Sequence, residues 1–140
     1  MFEELLIPLL LSEALGRING KTRLQKLVYI VQKEANNCNV QASSFNYELY
    51  YYGPFSSELS ATLENLKETD LIEETTEMTP SGYTRYVYSI TDKGRKLLED
   101  AKEKKLLSKK LEKIVKEVAK DFGHLELPEL VKEAYRRFSN

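Results

Sequence analysis

The segment Gly16-Arg17-Ile18-Asn19-Gly20-Lys21-Thr22 holds the ingredients of a phosphate-binding loop, two glycines followed by Lys and Thr. Three residues rather than four separate the glycines, and no strand-like run leads into them, so a turn entering a helix is the better reading. His124 is the sole histidine and Cys38 the sole cysteine, so neither has a partner of its own kind with which to hold a zinc ion. Ser and Thr residues fall at turns and helix starts, where hydrogen bonding to the backbone already accounts for them. No nucleophile stands beside a base, and the carboxylates lie on polar helix faces. The expectation is a protein that is not an enzyme, with no cofactor and no metal.

Binding chemistry is better represented. Ser56, Ser57 and Ser60 open a helix and carry small hydroxyls able to approach a DNA groove. Lys21, Arg23 and Lys26 sit together at the entrance of another helix and suit phosphate contacts, and Tyr83 and Arg85 sit at the tip of a hairpin, where a backbone contact is made. Double-stranded DNA is therefore one expected partner. Glu64 and Glu68 share the outward face of the serine helix, and Glu73, Glu74 and Glu77 flank the hairpin; all would repel a phosphate backbone. Tyr50 and Tyr52 suggest the alternative, a protein partner held by exposed aromatic rings, while the other tyrosines of that segment suit a half-buried strand.

Periodicity supplies the elements that must position these groups. Phe2, Leu5, Leu6, Leu9 and Leu10 form the apolar face of a first helix, with Pro8 favouring a kink or a late start. After a loop at Gly16 and Asn19-Gly20, a second helix is expected to open at Thr22 with a capping box closed by Gln25, followed by Leu24, Leu27, Val28, Val31 and Ala35. Residues 45–52 alternate, with Phe45, Tyr47, Leu49 and Tyr51 on one side of an extended segment that Gly53-Pro54 breaks. A third helix capped by Ser56 buries Phe55, Leu59, Leu63 and Leu66. Residues 71–74 and 85–90 then read as two antiparallel strands about a polar tip, and Thr91 or Asp92 caps a fourth helix. A fifth helix carries Leu107, Leu111, Ile114, Val115 and Val118, and Pro128 starts a sixth. Helix, strand, wing, strand, helix is the later half of a winged helix-turn-helix. The fold class expected is mainly α with a small antiparallel β-hairpin, a winged helix-turn-helix with extra C-terminal helices.

The chain of 140 residues fits one such domain over residues 1–101 and a helical extension over residues 102–140 packed on it. Its net charge of −1 divides unevenly: residues 1–101 carry 10 Lys/Arg against 15 Asp/Glu, and residues 102–140 carry 11 against 7. The basic density thus lies in residues 102–120, away from the expected reading head. That stretch reads as a solvated helix face, a second nucleic-acid contact or the rim of an interface. The apolar runs at residues 5–11 and 107–118 offer more surface than one small core needs, so a homodimer built on terminal helices is expected. The run at residues 5–11 is too short to span a bilayer and no signal-peptide layout precedes it, and a lone cysteine suits a reducing cytoplasm.

Two motifs recur in order. Gly20-Lys21-Thr22-Arg23-Leu24-Gln25-Lys26-Leu27-Val28-Tyr29 precedes Tyr50-Tyr51-Tyr52-Gly53-Pro54-Phe55-Ser56, and Leu66 and Leu71-Ile72 follow. This pattern resembles the YwgA-like proteins and the related Panacea domain of SocA-like antitoxins over about residues 20–95, with Asp70 where a glycine often precedes the Leu-Ile pair. The C-terminal helices lie outside the resemblance. It implies a winged-helix-like fold and, for some members, antitoxin or protease-adaptor roles exercised by binding proteins. Tyr88-Ser89-Ile90-Thr91-Asp92-Lys93-Gly94 is separately similar to the last wing strand and following helix start of many transcriptional regulators. The two functional expectations are a DNA-binding transcriptional regulator and a protein-interaction module without DNA binding.

Overall fold

A computed structural model describes residues 2–139. In chain order the elements are α1 (Phe2–Leu15), β1 (Ile18–Asn19), α2 (Lys21–Asn37), β2 (Glu48–Tyr50), β3 (Gly53–Phe55), α3 (Ser57–Glu68), β4 (Ile72–Met78), β5 (Thr84–Ile90), α4 (Asp92–Glu103), α5 (Lys109–Phe122) and α6 (Leu127–Ser139). The described residues are thus mainly helical, with six helices and two small antiparallel sheets.

Helix α1 is the centre of the core. Every residue from Leu6 through Ser12 is buried, so the helix has no polar face along that stretch. Pro8 does not delay its start, which is at Phe2. The ring removes the amide that would reach the Glu4 carbonyl, and one turn later Ser12 Oγ donates to the Pro8 carbonyl at 2.8 Å, giving a buried hydroxyl its partner. Helices α2, α4 and α5 and strand β5 pack around α1, and α6 lies on α2. Leu107, Leu111, Val115 and Val118 join the same apolar cluster as Leu6, Ile7, Leu9 and Leu11. The apolar runs on which the expected homodimer rested are therefore used within the chain, and self-association would need another surface.

The three-stranded sheet has the order β1-β5-β4. β4 and β5 form the expected antiparallel ribbon, in register from Ile72↔Ile90 to Met78↔Thr84, with β4 reaching four residues beyond the expected strand. β1 was not foreseen: Ile18 and Asn19, expected in a loop, pair with Tyr88 and Val87 on the other side of β5. Two residues are too few to show a period, and only the docking of Ile18 into the core makes them a strand.

Caps decide the helix boundaries. Ser56 Oγ accepts from the Leu59 amide, Thr91 Oγ1 from Gly94 and Ser108 Oγ from Lys110 and Leu111. At α2 the expected capping box does not form: the helix begins at Lys21 after Gly20, which has φ 107° and makes no side-chain cap. Gln25 has been drawn elsewhere. Among the described residues no helix is long and apolar enough to cross a membrane.

Gly94 lets the first turn of α4 close on the start of β4. A methyl group there would stand 2.3 Å from the Leu71 carbonyl oxygen and 2.7 Å from Ile90 Cγ1. The Leu71 carbonyl also accepts from the Thr91 amide at 3.2 Å, so it is not free to retreat. Gly94→Ala should destabilise the fold by about 1–3 kcal/mol, the usual cost of overpacking, despite alanine's better helix propensity. Urea denaturation checks this; equal or greater stability would show that α4 shifts without cost.

Candidate functional site

The candidate site is assembled from α2, and the polar side chains that build it are buried. Gln25 Nε2 donates to the Ser56 carbonyl at 2.9 Å and to Ser60 Oγ at 3.1 Å, while its Oε1 accepts from the Ser56 amide at 2.9 Å. Two turns later Gln32 repeats the arrangement. Its Nε2 donates to the Phe45 carbonyl at 2.9 Å, and its Oε1 accepts from the Phe45 amide at 3.0 Å and from Ser43 Oγ at 2.6 Å. Between them Lys26 Nζ donates to the Pro54 carbonyl at 2.8 Å. The backbone of a largely irregular stretch thus finds its partners on the side chains of α2, where a longer strand would have found them in a ladder.

What α2 holds up is an aromatic hairpin. β2 and β3 pair antiparallel, Glu48↔Phe55 to Tyr50↔Gly53, and Gly53 turns the chain with φ 92°. The expected alternation over residues 45–52 is corrected here. Phe45 is buried, and Tyr47 packs edge-on to Tyr29 with ring centroids 4.7 Å apart, but Leu49 and Tyr51 face solvent. Gly53-Pro54 does not end the extended segment; it begins the return strand. Tyr51 is 98% exposed, Tyr52 66% and Tyr50 53%, which is far outside what rings in a half-buried strand show. Tyr50 stacks on Phe55 with centroids 5.0 Å apart and planes 13° from parallel. From α6, Tyr135 meets Leu49, Tyr50 and Tyr51 around an open hollow of about 540 Å³. A second hollow of about 230 Å³ lies between the tyrosines, Phe55 and the first turns of α2 at Lys21, Gln25 and Lys26.

The groups expected to meet DNA are dispersed. Ser56 is 1% exposed and caps α3, so its hydroxyl has no path to a groove. Lys26 is 2% exposed and turned to Pro54. Arg23 Nη1 donates to the carbonyls of Gly123 at 3.1 Å and Leu125 at 2.7 Å, tying α2 to the α5–α6 connection. Ser60 Oγ is engaged by Gln25. Arg85 is paired with Glu77, whose carboxylate also takes Arg17 at 2.6 Å; hydrogen bonds from the two guanidiniums hold its pKa below the usual carboxylate range. Lys21 is exposed and stands over the Tyr86 ring, 4.6 Å from its centroid, and Ser57 and Tyr83 are exposed. The burial of Ser56 and Lys26 and the internal bonds of Arg23 correct the expectation for those three residues. One-dimensional spacing showed which residues neighbour one another along a helix, not which side of it the hairpin would cover.

The outward face of α3 keeps its acids. Glu64 and Glu68 are exposed, and Lys67 is held between Glu64 at 3.0 Å and Glu74 at 2.9 Å. Glu74 Oε2 also accepts from Tyr88 Oη at 2.7 Å. Partial burial works against its charge, yet the bonds from Tyr88 and Lys67 keep the Glu74 carboxyl below its ordinary pKa. On α5, Glu112 lies near Lys102 and Lys116, and Lys113 near Glu117, so the charged side chains of this helix lie on the face opposite its buried apolar stripe.

Sequence reasoning missed Gln25 and Gln32. They stand seven residues apart, two helical turns, and that was the available signal.

Comparison with known proteins covers the chain from within α2 to within α6. The model of the family described as antitoxin SocA-like, Panacea domain, matches residues 24–137, which extends the likeness through α5 and into α6 beyond the expected limit near residue 95. A protein of Bacillus subtilis (strain 168) described as "Uncharacterized protein YwgA" is 34% identical over 87 residues, covering 61% of this chain and 48% of that protein. The chain thus matches about half the length of that relative.

Two outcomes follow from the α2 contacts. Gln25→Ala leaves the Ser56 amide and carbonyl without their partner, so stability should fall by about 2–3 kcal/mol, with amide exchange quickening first in residues 48–56. Uniform exchange would show that the hairpin is held by something else. Burial lowers the Lys26 pKa from 10.5 to about 8. Between those values the unfolded chain binds the extra proton, so stability due to this group rises with pH from about 8 to 10.5. The penalty below that window is on the order of 3 kcal/mol. Wild type should therefore gain on Lys26→Met across this window in paired denaturation curves; parallel curves would mean that Lys26 titrates as a solvated amine.

Proposed function

The chain belongs to the SocA-like antitoxin Panacea-domain family, and from that premise we propose that it acts by binding a protein, with the tyrosine hairpin and α6 as the docking face. The observation that carries this reading is the exposure of three consecutive tyrosines on a hairpin immobilised from beneath. Large apolar rings presented without freedom to collapse are the usual anchors of protein interfaces, because little conformational entropy is lost when a partner covers them. Tyr50 and Tyr52, expected as partner contacts, fall in this face together with Tyr51 and Tyr135, which were not expected there.

The second reading, a DNA-binding regulator, draws on topology. The order α1-β1-α2-α3-β4-β5 with β5 central in the sheet supports a winged-helix reading, the β2–β3 hairpin being inserted between α2 and α3. We take the fold to be of that kind, with α3 in the position of the reading helix and the turn between β4 and β5 as the wing. The charges favour the other use. α3 presents Glu64 and Glu68, and the wing cation Arg85 is paired with Glu77. Affinity for a duplex comes mainly from phosphate contacts, and this face supplies few.

The test is purification of the chain from its host followed by nuclease treatment. A protein partner should remain bound in stoichiometric amount, and Tyr50→Ala or Tyr52→Ala should weaken the complex by tenfold or more, while Tyr83→Ala on the wing leaves it unchanged. Titration with duplex DNA at low salt should show no saturable binding. A chain that purifies alone and binds duplex DNA with a steep salt dependence reduced by Lys21→Ala would overturn the reading.

A further inference from the structure

Lys26 is a buried ammonium that lines an open hollow, and among the described residues no carboxylate forms an ion pair with it. Two other part-buried cations are paired with carboxylates, Lys67 between Glu64 and Glu74 and Arg137 between Glu34 and Glu133, while Arg23 has two backbone carbonyls. Lys26 has one acceptor, the Pro54 carbonyl, and among the described residues no acidic group forms an ion pair with it. An ammonium has three donors, so the folding of α2 against the hairpin leaves this one short of partners. An unpaired charge in such a place is costly, and the cost is relieved by any anion that can reach it.

The hollow of about 230 Å³ on this side of α2 is lined by Lys26, Lys21 and the rings of Tyr50, Tyr51, Tyr52 and Phe55. Its wall is cationic along α2 and aromatic along the hairpin. Lys21 is fixed over Tyr86 and adds a second positive charge at the mouth. Resting on the reading of this face as a protein-docking site, we propose that the hollow receives an Asp or Glu side chain of the partner, whose carboxylate pairs with Lys26 while the neighbouring partner residues lie on Tyr50, Tyr51 and Tyr52. A singly charged carboxylate on an aliphatic stem matches one lysine deep in an aromatic wall.

The partner is thus defined by an acidic residue within an apolar segment, and a peptide library provides the probe. Random heptapeptides, capped at both ends, are selected on the full chain, and the selected sequences are resynthesised with each Asp or Glu replaced by Asn or Gln. One acidic position should be shared, and its amide form should bind at least tenfold more weakly to the wild type and no more than twofold more weakly to Lys26→Met. In the unaltered protein, NMR of the Lys26 Nζ group should show the ammonium retained to higher pH when the acidic peptide is bound and not when its amide form is bound. That measurement needs no variant to fold. Lys21 on α2, Tyr50, Tyr51 and Tyr52 on the hairpin and Tyr135 on α6 also face this region, so their signals are followed in the same titration. Peptides that depend on Tyr50 or Tyr52 but show no acidic preference, or a preference that survives Lys26→Met, would overturn this proposal and leave the docking reading standing. Peptides indifferent to Tyr50 and Tyr52 would overturn both. Displacement of the acidic peptide by inorganic phosphate, but not by chloride at equal ionic strength, would reassign the hollow to a phosphate group.

Discussion

The buried polar edge of α2 is the constraint on which the rest of the molecule depends. A stretch running from the end of α2 to Ser56 contains only two strands of three residues each, too little to satisfy its own backbone. Gln25 and Gln32 solve this by offering each clamped residue, Ser56 and Phe45, both a donor and an acceptor, as a neighbouring strand would. Two turns of helix set the distance between the clamps. The hairpin between them is therefore held at both ends, with Lys26 fastened to its return strand.

That arrangement separates rigidity from burial. Rings are normally immobilised by being covered, and then they are unavailable to a partner. Here side chains of α2 hold the backbone at Phe45, Pro54 and Ser56, on either side of Tyr50, Tyr51 and Tyr52, and the rings keep their exposure. The C-terminal helices contribute to both sides of this balance. α5 closes the core over α1 and α2, and α6 lies on α2 close enough to bring Tyr135 to the hairpin and Val131 and Tyr135 to Gly53. Residues 102–140 are part of the scaffold of the site and part of its surface.

Charge distribution follows a similar logic. In the sheet and on α3, opposite charges meet within the molecule: Arg17 and Arg85 on Glu77, and Lys67 on Glu64 and Glu74. Such pairs are worth little each when exposed, and they engage cations that a polyanion would otherwise meet. The exception is the start of α2, where Lys21 rests on an aromatic ring and Lys26 on a carbonyl. Positive charge held by a ring and a carbonyl thus collects next to the exposed tyrosines.

By itself the sequence determined the elements whose signals are local. Helical spacing in residues 24–35, 59–66 and 111–118, the caps Ser56 and Thr91, and the ribbon from Ile72↔Ile90 all follow from short-range periodicity and capping chemistry. The ordered pair of motifs around Lys26 and Gly53 was also legible, and so was the family. Tertiary structure decided which groups remain accessible. Ser56, Lys26 and Arg23 look like surface contacts in one dimension, and each is turned inward by a partner about 30 or 100 residues away. Residues 5–11 look like an interface and are the centre of the core, because α5 arrives to cover them. Ile18 and Asn19 become a strand only when β5 lies alongside. Burial depends on contacts distant in sequence, and no local period records them.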